Sequence, residues 1–203
     1  MTSRDRDVFI NCPFDGEYQD FFRAIVFVVL RSGFRPRCAL ETDDSSQNRF
    51  EKICQIIAEC RYGIHDISRT ELDLRSKLPR FNMPLELGIF FGAKRFGGRA
   101  QKKKRCIVLD REKFRYQKFI SDISGQDIHS HEARLTVLLA ELASWLRTES
   151  HDQMVPGGKR MAAEFSKFKD ELPKMCAGRH LDPDELTFGD YARIVEQYLV
   201  EAA

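Results

Sequence analysis

The sequence predicts an α/β fold: a flavodoxin-like parallel sheet flanked by helices, with a C-terminal helical extension. Three observations carry this. Short apolar runs bounded by turn residues recur at Asp7 to Asn11, Phe34 to Leu40, Arg61 to Asp66 and Arg105 to Asp110. Between them lie segments with helical spacing, giving the order β-α-β-α-β-α-β that right-handed crossovers fold into a parallel sheet. Beyond Asp110 no comparably strong strand follows, and helical periodicity takes over.

The first run, DVFIN, ends in Cys-Pro and reads as a buried strand. From Glu17 to Ser32, Phe21, Phe22, Ile25, Val26, Val29 and Leu30 fall on a helical face, and Gly33 stops the helix. Pro36 assigns the second strand to an edge, because it cannot donate to a ladder. The polar loop Thr42 to Ser46 precedes a helix over about Asn48 to Cys60, carrying Phe50, Ile53, Ile56 and Ile57 on one face. After RYGIHD, a polar stretch leads to a helix that holds Glu86 and ends before Gly97 and Gly98. Asn82 is its expected N-cap, with Pro84 in the first turn. Tyr116, Phe119, Ile120 and Ile123 have helical spacing, as do Leu135, Leu138, Leu139, Leu142 and Leu146, and two further helices are expected around Phe165 to Leu172 and Tyr191 to Tyr198. The resulting division is an α/β domain over 1–130 and a helical extension over 131–203.

The 203 residues, 42% hydrophobic and 32% charged, suffice for one full core. A net charge of +2 gives no support to nucleic-acid binding, and the run Lys102 to Arg105 reads as a solvated approach to a strand. No segment is apolar enough for a signal or a bilayer span, so a cytosolic protein is expected. The six cysteines lack CxxC spacing and read as reduced, buried hydrophobes. His129 and His131 form a His-x-His pair without a convincing third ligand, so no metal is expected.

Ligands of open parallel sheets bind beyond the carboxyl ends of the strands. That rule gathers Asn11, Cys12, Pro13, Phe14 and Asp15 after the first strand, Glu41 to Ser45 after the second, Asp66, Ser68 and Arg69 after the third, and Asn82 and Glu86 at the start of the next helix. Carboxylates, an amide, a hydroxyl and a guanidinium beside an apolar wall suit a sugar bearing a base. A carboxylate there can serve an N-glycosidic cleavage as nucleophile or counter-charge. The helix-capping reading of Glu86 stands beside this, as does a turn-forming role for Asp66 and Ser68 and a core role for His65. Asp122, Gln126 and Asp127 lie close after the fourth strand, where they could overhang the pocket.

VFINCPF, GIHDIS and FNMPLELGIFFGAKR, in that order, resemble the landmarks of the nucleoside 2-deoxyribosyltransferase-like and TIR-like superfamily, over Asp7 to Asp110. The resemblance implies that Glu86, in Glu-Leu-Gly, is the catalytic carboxylate, that Asn11 and Asp66 orient a ribose, that Phe14 stacks on the departing ring and that Arg69 balances a phosphate. Where transferases of the family carry an Asp-Gly-Thr-like turn, this chain has Arg80 to Pro84, and Phe14 stands where an aromatic hydroxyl is often found. NAD cleavage tolerates these departures, because nicotinamide leaves as a neutral molecule and needs no general acid. The resemblance thus implies a small-molecule nucleotide as partner, NAD as candidate substrate with no cofactor required, a homo-oligomer that completes the pocket, and a place in cell defence. A deoxyribosyltransferase or nucleotide hydrolase, and a sensing module without turnover, remain alternatives.

Overall fold

The computed structural model describes residues 6–42, 44–72, 77–151 and 154–202; Arg4, Asp5, Asp43, part of the polar stretch before the Glu86 helix and part of the 151–158 loop lie outside these. The strands are β1 (Asp7–Asn11), β2 (Arg35–Arg37), β3 (Tyr62–Asp66), β4 (Arg105–Asp110) and β5 (Ile128–Ser130). They form one parallel sheet in the order β2-β1-β3-β4-β5, the flavodoxin-like order, so chain direction across the sheet reverses between β1 and β3. The helices are α1 (Gln19–Arg31), α2 (Arg49–Glu59), α3 (Asn82–Phe96), α4 (Leu135–Ser150), α5 (Gly158–Ala177) and α6 (Phe188–Glu201). None of the described helices is long and apolar enough to cross a membrane.

Alternation along the strands sorts the core into two faces. Val8, Ile10, Tyr62, Ile64, Ile107 and Leu109 point to one side, where they share a cluster with α1, α4, α5 and α6. Phe9 packs with α2 and α3 on the other side, and Val108 with α3 and Tyr116. The helices after residue 131 therefore build their core together with the sheet. Phe27 lies against Phe165 and Phe168, each at 5.3 Å between ring centres, which fastens α5 to α1.

The structure corrects several local expectations. A fifth strand, Ile128–Ser130, pairs with β4 outside the reach of the periodicity argument, because it is three half-buried residues with one aliphatic side chain. The second strand is Arg35–Arg37 alone, at the expected edge. The helical spacing over Tyr116 to Ile123 resolves into two 3₁₀ turns, Arg115–Lys118 and Ser121–Ile123, after Phe114 at φ 61°. Asn82 is the first residue of α3 and makes no cap; Phe81 holds the cap position without a side-chain bond.

The basic run is also not uniformly solvated. Lys104 is buried, and its ammonium donates to the Ile57 and Cys60 carbonyls at the end of α2 while sitting 4.8 Å from the Phe90 ring centre. At the same end of the sheet the buried Asp7 accepts from Arg35 Nε at 2.7 Å and pairs with Arg37 at 3.3 Å, tying edge strand β2 to β1.

Candidate functional site

The carboxyl ends of β1 and β3 carry Asn11 and Asp66, both buried, and the strand period sends their side chains to opposite faces. Asn11 turns toward α3. Its amide donates to the Met83 carbonyl at 2.8 Å and to His65 Nδ1 at 3.0 Å, so both amide hydrogens are used to hold α3 against the sheet. His65 therefore carries its proton on Nε2, lies between Phe9 and Phe90, and is held neutral by burial, which pushes its pKa down to about 3. Asn11→Asp would set an acceptor against an acceptor; we expect a loss of about 2 to 3 kcal/mol in urea unfolding, and a loss under 1 kcal/mol would show that the clamp is not needed.

Asp66 turns toward α1. It accepts from the Tyr18 hydroxyl at 2.5 Å and from the Ser68 backbone N–H at 2.8 Å, and His131 Nε2 lies 3.1 Å from the oxygen that Tyr18 uses. His131 Nδ1 accepts from the Ala133 N–H, which leaves Nε2 as the ring nitrogen that faces Asp66. An aromatic hydroxyl does stand near the first strand: it is Tyr18, in the 3₁₀ turn Gly16–Tyr18. The sequence resemblance places Phe14 at that position.

Arg69 bonds Glu17 at 2.6 Å and Asp15 at 3.3 Å, with Arg80 also 3.5 Å from Asp15. Its guanidinium is thus committed to the loop after β1. Pro13 is buried, and Phe14 packs against the core on both faces. Ser68 is buried and Asn82 exposed. Asp122, Gln126 and Asp127 are exposed, and of the histidine pair His129 bonds Glu141 at 2.7 Å while His131 is turned inward to Asp66.

Glu86 differs from all these. It sits in the second turn of α3, beyond the first-turn positions where the helix dipole favours a carboxylate most, and it is half-buried. Among the described residues no side chain hydrogen-bonds to it or pairs with it. Burial pushes its pKa up to about 7, with Arg49 at the start of α2 pulling the other way. Burial above all, with the charges of Asp66, Glu86 and Asp15 adding to it, pushes the Cys12 thiol's pKa well up. The raised pKa makes Cys12 a poor nucleophile. The Asn11–Met83 bond brings the start of α3, and Glu86 three residues on, to the end of β1.

The architecture is that of a flavodoxin-like α/β protein in which the part-buried Glu86 carboxylate, unpaired among the described residues, lies close to the point where strand order reverses. No known family, curated protein or solved structure matches the chain in comparison.

Proposed function

We propose that the protein cleaves the N-glycosidic bond of a nucleotide, with NAD the first candidate, and that Glu86 is the carboxylate that meets the ribosyl cation. The observation carrying this reading is Glu86 itself: a carboxyl near neutral pKa, half-buried, without a partner among the described residues, at the carboxyl end of the sheet. In the step, the bond between the anomeric carbon and the ring nitrogen breaks and its electron pair leaves with nicotinamide. The ionised Glu86 stabilises the cation or bonds to it, and water then adds and gives up a proton. Asn11 and Asp66 act as positioning residues, the first through Met83 and α3, the second through Tyr18 and the loop after β1. Phe14 offers the ring a face, and Ser68, Pro13 and Asn82 complete the rim.

A second reading, a nucleotide-sensing module without turnover, is favoured by one observation. Arg69, the candidate phosphate ligand, is locked by Asp15 and Glu17, so a phosphate must displace them. Chromatography of NAD, and of a panel of nucleosides and deoxynucleotides, after incubation with the protein and with Glu86→Gln separates the readings. Nicotinamide release that the substitution abolishes is expected. Base release from the panel alone moves the substrate to a nucleoside, and binding without any turnover overturns the catalytic reading in favour of the sensor.

A further inference from the structure

A cavity of about 350 Å³ lies between the loop after β1, the start of α1 and the segment that leads into α6. Its wall is aromatic. Phe14 meets Phe22 edge to face at 5.1 Å, and Phe22 meets Phe188 at 6.1 Å. Two polar side chains of the lining, the Gln19 carboxamide and the Asp184 carboxylate, have no partner among the described residues. Its one cation is already engaged: Arg23 donates to the Pro183 carbonyl and lies 5.5 Å over the Tyr191 ring.

We propose that this cavity binds a flat heteroaromatic ring carrying an amino or carboxamide group, and that the segment before α6 is there to complete it. Aromatic edges and faces recognise the ring. A carboxamide offers both donors and acceptors to its edge, and a carboxylate accepts from an amino group. The lining sets two carboxylates, Asp15 and Asp184, against the single cation Arg23, so the ring portion of a nucleotide is favoured here over its phosphates. Phe14 and Asp15 of this lining sit on the loop that follows Asn11, whose amide holds the start of the Glu86 helix, and this gives the helical extension a part in substrate recognition. That the ring is the base of a cleaved nucleotide rests on the catalytic reading of Glu86; that the cavity binds a ring does not.

The test titrates nicotinamide, adenine and inorganic phosphate separately into the full chain and follows backbone amide shifts by NMR. Nicotinamide or adenine is expected to shift residues 14–23 and 184–191, and phosphate is not. Phe188→Arg, which fills the cavity, should abolish the shifts, and Gln19→Leu should weaken binding at least 5-fold, with circular dichroism confirming the fold of both variants. Glu86→Gln should leave ring binding intact. Absence of binding at millimolar ring, shifts mapping elsewhere, or binding indifferent to Phe188→Arg overturns the proposal. Ring binding without glycosidic cleavage would sink the catalytic reading and leave the cavity assignment standing.

Discussion

Glu86→Gln is expected to reduce glycosidic cleavage by at least about 10³-fold and at the same time to stabilise the protein at pH 8, by about 1 to 2 kcal/mol. The two effects have one origin. The carboxyl takes up its proton in the folded chain at about pH 7, against an ordinary 4.5. Below both values the folded and unfolded states are equally protonated and the group contributes nothing to the pH dependence. As pH rises from about 4.5 to 7 the unfolded chain has lost this proton while the folded chain keeps it, so stability falls through that window and stays reduced above it. Full conversion of the shift would be about 3 kcal/mol, and solvent screening of a part-exposed side chain reduces it. Gln carries no charge to desolvate, so the gain should be present at pH 8 and absent at pH 4. For a chain of this size that is a rise of about 2 to 8 °C in Tm. The cleavage rate of the parent protein should climb through about pH 7 as the carboxylate forms, and Arg49→Ala should move that midpoint upward, because Arg49 is the cation that lowers it. A variant that is inactive but no more stable at pH 8 than at pH 4 would remove burial as the cause of the shift.

The fold was legible because its strands are continuous apolar runs and its helices keep their spacing over several turns; Val8 to Ile10 and Ile25 to Val29 leave little choice. Strand β5 was not legible, since three residues with one aliphatic side chain carry no period. The ends of β1, β3 and β4 could be located, but which face a terminal residue takes depends on register. That is why Asn11 and Asp66, grouped as neighbours by position, divide between α3 and α1. Glu86 was legible as an anomaly, a carboxylate in apolar company. Its isolation was not, because whether Arg69, Arg49 or another cation reaches it is decided by tertiary packing. Tyr18 and His131 were hidden for a related reason: each looks like an ordinary member of a helix or loop until the fold places Asp66 between them. Lys104 was hidden within a charge run, where composition predicts solvent.

That lysine supplies the second large effect. Lys104→Ala is expected to lower unfolding free energy by about 3 to 4 kcal/mol, read as a shift in urea midpoint at unchanged slope. The last carbonyls of a helix have no partner within it, and here the ammonium of Lys104, the residue before β4, donates to those of Ile57 and Cys60. Removing it strands two buried acceptors, gives up the contact with the Phe90 ring and opens a cavity as long as the side chain. Lys104→Met restores the stem but neither bond, so its loss should fall below that of Ala yet stay above about 1 kcal/mol. Lys103→Ala, at the preceding residue of the same run but exposed, should change stability by no more than about 0.5 kcal/mol. Equal small losses at both lysines would show that the run is solvated after all. The contrast also reaches the site, since Lys104 anchors the far end of the helix whose first residue is Arg49. If α2 loosens in Lys104→Met, the attraction between Arg49 and Glu86 weakens and the Glu86 midpoint rises, a shift that the pH profile of cleavage would record without any change at the rim itself.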